Sequence, residues 1–137
     1  MQSKFWPCES APVLRALDAG SSPVLVSGLG PSARAHMAAA VYRETGMPLF
    51  AVCPDDQSAE LMRRDLESLT GESAVLLPMR DYTFYAADGV TRQTEQARLA
   101  AFDRLLAGAR LAVCSAAALA QRTVPAQTLK SAALAVA

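Results

Sequence analysis

Short apolar runs alternate with longer segments of helical spacing along this chain, and that alternation constrains the fold more than any other feature. Val24-Leu25-Val26-Ser27, Leu49–Cys53, residues 74–77 and residues 111–114 are brief, carry branched side chains and lack polar alternation. That is the pattern of strands covered on both faces. Helical spacing fills the intervals. Residues 33–45 place Met37, Ala40 and Val41 on one side, and residues 58–70 carry a stripe of Ala59, Met62, Leu66 and Leu69. Residues 91–107 form the longest helix, with Leu99, Phe102 and Leu106 as its apolar face. Short helices are expected at 12–19 and 115–121. Gly20, Gly46, Gly71 and Gly108 stand where these helices should stop. Strands that alternate with helices form right-handed βαβ units, so the expected fold is α/β: a three-layer parallel sheet of four strands with helices on both faces.

Length and composition agree with one such domain. The chain has 137 residues, 52% hydrophobic and 19% charged, so it can bury a core. Thirteen basic residues balance thirteen acidic ones. No global field draws it onto nucleic acid or a membrane surface. Cys8, Cys53 and Cys114 are widely spaced and odd in number, which fits neither a disulfide framework nor a zinc motif. Cys53 and Cys114 close apolar runs and are expected as small buried hydrophobes. The N-terminal residues lack the long apolar stretch of a signal peptide, and no run is long enough to span a bilayer. A cytoplasmic protein without membrane partners is expected.

In an open parallel sheet, ligands sit beyond the carboxyl ends of the strands. The first strand–turn–helix reads Gly28-Leu29-Gly30-Pro31-Ser32-Ala33-Arg34-Ala35. Against the phosphate-loop pattern GxxxxGK[ST], the second glycine is Ala33, the lysine is Arg34 and the hydroxyl residue is Ala35. Ala35 has no oxygen for Mg²⁺, and Pro31 removes one amide from the anion nest. Residues Gly28, Gly30, Ser32, Ala33 and Arg34 are therefore expected to form a vestigial phosphate loop, with no cofactor, no metal and no catalytic residue. A competing pattern, the dinucleotide fingerprint GxGxx[GA], fits Gly28, Gly30 and Ala33, with Asp55 or Asp56 near the place of a ribose-binding acid. A small nucleotide- or dinucleotide-binding module using residues 28–35 is thus the alternative. Asp55 and Asp56 also suit the cap of the next helix.

The remaining candidates are few. His36 is the single histidine and is expected on a solvated surface beside Arg34. Tyr82, Phe84 and Tyr85 could stack on bases, although packing of their loop (residues 79–89) onto the sheet is the favoured account. Arg92, Arg98 and Arg104 interleave with Glu95 and Asp103, as on a solvated helix face.

Several runs in order resemble the N-terminal module of bacterial transcription-repair coupling factors (Mfd). They are Ser27-Gly28-Leu29-Gly30-Pro31-Ser32-Ala33-Arg34-Ala35, Gly46-Met47-Pro48-Leu49 and Pro54-Asp55. They continue with Arg80-Asp81-Tyr82-Thr83-Phe84, Arg92-Gln93-Thr94-Glu95-Gln96-Ala97-Arg98-Leu99 and Ala118-Leu119-Ala120-Gln121-Arg122-Thr123-Val124-Pro125. The resemblance covers about residues 12–137. It implies a helicase-like, UvrB-related α/β subdomain with a degenerate Walker A site, and a role in DNA repair, namely transcription-coupled nucleotide excision repair. It implies UvrA and neighbouring domains of the parent protein as partners. ATP, RNA polymerase and DNA belong to motor and polymerase-binding regions of the family that lie outside this sequence. On this reading residues 1–22 are an extension with a short helix, 23–125 the UvrB-like subdomain, and 126–137 the start of a truncated second subdomain. Residues after Thr123 are expected to run extended, with 134–137 beginning a strand. The family's subdomain receives further strands from later sequence, so this chain is expected to expose an apolar sheet edge.

Overall fold

The computed structural model describes residues 10–80 and 88–132, with the backbone alone over 88–91. Its elements follow the order α1 (Ala11–Asp18), α2 (Pro31–Thr45), β1 (Leu49–Cys53), α3 (Asp56–Thr70), β2 (Val75–Leu77), α4 (Asp88–Leu106), β3 (Leu111–Ser115), α5 (Ala116–Ala120) and α6 (Ala126–Ala132). The expected extended chain after Thr123 is instead helical over α6. Pro125 supplies the reason: its carbonyl accepts the amide of Leu129 at 3.0 Å and so starts the helix it precedes. Residues 133–137, including the expected strand, lie outside the described residues.

The sheet is parallel and runs β1-β3-β2. Leu49 to Cys53 align with Leu111 to Ser115, and Val75 to Leu77 align with Ala112 to Cys114. β3 is central, and all five of its residues are buried. Its side chains alternate between two cores. Leu111 and Val113 pack with Ala39 of α2, Cys53 of β1, and Ala59 and Leu66 of α3. Ala112 and Cys114 pack on the other face with Val75, Leu77, Ala101 of α4 and Ala118 of α5. The two crossovers explain this. β1 to β2 and β2 to β3 run in opposite directions across the sheet, and right-handed connections then put α3 and α4 on opposite faces.

The expected fold was one strand larger. Val24–Ser27 pairs with no strand, and Leu25 is 92% exposed. An apolar branched run becomes a strand only where a partner ladder accepts it, and none of the described strands does. Among the described residues the outer edge of β1 is bare, and Phe50 and Val52 stand 44% and 48% exposed beside it.

The helix stops follow the glycines. Gly46 and Gly71 adopt left-handed conformations (φ 63° and 75°) as C-caps of α2 and α3, and return their amides to Tyr42 and Glu67. The expected stripe of α3 faces the core: Ala59 and Leu66 are buried, with Met62 and Leu69 packed alongside. On its outer side, Arg63 bonds Glu60 through both Nε (2.9 Å) and Nη2 (2.7 Å) and reaches Glu67 through Nη1 (2.6 Å). Glu67 also accepts the Ala74 amide at 2.9 Å and thereby holds the entry to β2.

For α4 the apolar face differs from expectation. Arg98, Ala101, Phe102 and Leu105 turn to the sheet, whereas Leu99 and Leu106 are exposed. Alanine made both faces readable as core. The one at 98, 101, 102 and 105 wins because it sets a small residue, Ala101, against Val75 and Leu77.

Two stability predictions follow from this packing. Leu66→Ala should cost about 3 kcal/mol in urea unfolding, because it empties a fully buried site, whereas Phe50→Ser should cost under about 0.5 kcal/mol. The Arg63 guanidinium, with Arg64 beside it, holds the Glu60 carboxyl down to about 2. A carboxyl lowered from its unfolded value stabilises the fold at neutral pH, and that contribution fades as pH falls from about 4.3 through about 2. Glu60→Gln should lose up to about 1 kcal/mol at about pH 7, with wild type and variant converging near pH 2.

Candidate functional site

The loop before α2 keeps a turn but has no sheet strand ahead of it. Gly28 adopts φ 77°, a left-handed conformation that side chains disfavour. Gly30 is the N-cap of α2 without a side-chain bond, and Pro31 occupies the first helical turn. A Cβ at Gly28 or Gly30 would meet nothing within 4 Å, so neither glycine answers a crowded backbone approach. Arg34 turns back on its own loop: Nε donates to the Leu29 carbonyl at 3.0 Å. Ser32 is exposed, and Ala33 partly buried. With 24–27 unpaired, the strand–turn–helix frame that a phosphate loop or dinucleotide fingerprint requires is incomplete. The expected placement of residues 28–35 at a strand's carboxyl end is thereby corrected.

His36 does not lie on the open surface either. It is half-buried and, with Ser32, Asp65, Ser68 and Leu69, lines a cleft of about 230 Å³ between α2 and α3. Cys53 and Cys114 are buried as expected, and burial pushes both thiols up and away from the reactive thiolate. Cys8, Tyr82, Phe84 and Tyr85 lie outside the described residues. Among the described residues no three His, Cys, Asp or Glu side chains gather as a metal site requires.

At the carboxyl ends of the strands, where a ligand would bind, the chain uses its own groups. After β1, Asp55 caps α3, accepting the Ser58 amide at 2.7 Å and the Ser58 hydroxyl at 3.0 Å. Those bonds hold the Asp55 carboxyl below its ordinary value. The ribose-binding candidate is thus Asp55 in the capping role, with Asp56 in the first turn of α3. At the end of β3, Ser115 accepts the Ala118 amide at 3.1 Å and caps α5.

The end of β2 is held most elaborately. Arg98, expected among the solvated arginines, is 1% exposed. Its Nη1 donates to the Pro78 carbonyl at 2.6 Å and its Nη2 to the Ala118 carbonyl at 3.0 Å, while the guanidinium lies 5.2 Å from the Phe102 ring. Three residues beyond Ala118, Gln121 accepts the Arg80 amide at 2.8 Å and donates to the Arg80 carbonyl at 3.0 Å. Arg80 Nε in turn pairs with Glu95 at 2.9 Å. Three distant segments, 78–80, 95–98 and 118–121, are thereby tied together. The sequence signal for Arg98 was its spacing with Ala101, Phe102 and Leu105; the alternating charges around it pointed outward instead.

These features define an α/β chain whose strand-end groups serve its own helices and loops. Compared with protein-family models, curated proteins and solved structures, the chain gives no match. No helix among the described residues is long and apolar enough to cross a membrane.

Substitutions at the strand-end cluster should separate by the number of carbonyls they strand. Arg98→Leu should cost about 3 kcal/mol in urea unfolding, because two carbonyls lose their donor in a buried setting. Arg98→Lys should fall between that value and wild type, since one ammonium cannot copy the guanidinium fork. Gln121→Ala should cost about 1–2 kcal/mol.

Proposed function

We propose that this chain is a non-catalytic α/β scaffold subdomain of the kind that opens transcription-repair coupling factors. Its work is to pack against neighbouring domains and to present a surface to the repair protein UvrA. The observation that supports this reading is the cluster at the end of β2. Three of the sequence runs that carry the resemblance, those around Arg80, Glu95 to Arg98 and Ala118 to Gln121, bond to one another there. Residues that serve as mutual anchors account for those runs without any ligand.

The loop at 28–35 supports the non-catalytic half of the reading. Phosphoryl transfer needs positioned metal and charge together. Here the metal-holding hydroxyl is replaced by Ala35, which is buried, and the Arg34 guanidinium is engaged with Leu29. Of the two acids the dinucleotide alternative could use, Asp55 is committed to Ser58 and Asp56 lies in the first turn of α3.

Two measurements test the proposal. Calorimetry with Mg-ATP, NAD or FAD should give no binding tighter than about 1 mM, and micromolar binding of any of them would overturn the scaffold reading. Purified UvrA passed over the immobilised chain should bind with a Kd of about 10–100 µM. No response at the upper end of that range would remove UvrA as the partner.

A further inference from the structure

We infer that the edge of β1, unpaired among the described residues, joins the same edge of a second copy of this chain, antiparallel and about a two-fold axis through Ala51. Backbone geometry comes first. The Leu49 amide donates to the Arg110 carbonyl at 2.8 Å, so Leu49, Ala51 and Cys53 turn their peptide groups toward β3. Polar groups alternate sides along a strand, so Phe50 and Val52 direct theirs to the open edge. In an antiparallel pair centred on Ala51, Phe50 of one copy faces Val52 of the other. Both are outward-directed, so each pair exchanges two hydrogen bonds. No other centre within β1 brings both outward residues into such pairs.

Side chains and charges fit the same register. Phe50 and Val52, 44% and 48% exposed, share one face of the sheet, and the pairing sets each aromatic ring beside a branched side chain of the other copy. Beyond the strand, Gly46 and Met47 come opposite Asp56 and Asp55 of the second copy. Arg110 is held there by its bond to the Gly46 carbonyl, which places a cation across from the acidic start of α3. Leu-Phe-Ala-Val-Cys itself contains no charge and no proline, and Pro48 and Pro54 on either side confine the new ladder to the Phe50–Val52 pairs. A net charge of zero adds no repulsion between copies. The result is a continuous six-stranded sheet, β2-β3-β1 followed by its symmetry mate. The inference concerns the chain by itself, since the scaffold reading would give an open sheet edge to further strands of a parent protein.

One strand pair buries less than a standard interface, so the dimer should be weak and reversible, with a Kd of about 10–100 µM by sedimentation equilibrium. Val52→Pro removes an outward amide without touching the ladder to β3. It should be monomeric over the whole concentration range, with an unchanged circular dichroism spectrum. Arg110→Glu should weaken the dimer about tenfold, and adding Asp56→Lys should restore it to within about twofold. A wild-type chain monomeric up to about 500 µM would overturn the inference, as would a Val52→Pro dimer as tight as wild type. Strong hydrogen-exchange protection of the Phe50 and Val52 amides in a monomer would overturn it too, and assign the edge to another strand of the same chain.

Discussion

The double pairing of β3 is the constraint on which the other elements depend. Among the described residues it is the one strand with a ladder on both sides and a helix layer on both faces. There β1 and β2 each have one ladder and do not pair with each other. α3 is held by its contact with Leu111 and Val113 of β3, and α4 rests on Val75 and Leu77 of β2, which the ladder to β3 holds in turn. Both helices therefore depend on β3, one directly and one through β2. Until residues 111–115 are in place, α3 and α4 have no common sheet to bury against, although α3 can already meet α2. The sequence separation of these contacts is large, so closing them is entropically costly before it is rewarding.

That dependence also explains which elements were legible in the sequence. Leu49–Cys53, Val75–Leu77 and Leu111–Ser115 were readable because parallel strands buried on both faces are apolar at successive positions, and each of these finds the ladder its composition suits. Val24–Ser27 has the same composition and finds none. Local pattern reports an affinity for a pleated, covered surface, whereas the existence of a strand depends on a neighbour elsewhere in the chain. The α3 stripe was readable because its apolar residues are large. The α4 face was not, because alanines on several sides leave the helix without a decisive stripe, and a buried arginine reads from sequence as a solvated one.

Arg98 shows why the candidate site was less legible than the fold. A guanidinium is expected in water unless something replaces its hydration. Here two carbonyls and an aromatic ring do so, all contributed by segments that meet only after folding. The benefit is mutual. Pro78 and Ala118 are carbonyls at the ends of β2 and α5 with no donor from their own elements, and an uncompensated carbonyl in a buried setting is costly. One side chain satisfies both, and Gln121 does the same for the peptide groups of Arg80. None of this could be read from residue types, because the partners are backbone groups that every residue possesses.

The same reasoning separates a loop's shape from its chemistry at residues 28–35. Gly28 keeps the left-handed turn that lets the chain reverse into α2, and α2 keeps a place against α3. What a nucleotide would need is a strand that aims the turn, amides left open to an anion, and a cation directed outward. Here the strand is unpaired, one amide is replaced by the Pro31 ring, and the Arg34 guanidinium folds back onto Leu29. Elsewhere at the strand ends, Asp55 and Ser115 occupy the helix starts that would otherwise present positive dipole ends to a ligand. A fold whose helix starts are capped by its own side chains gains rigidity at the strand ends, where an open parallel sheet would otherwise receive a ligand.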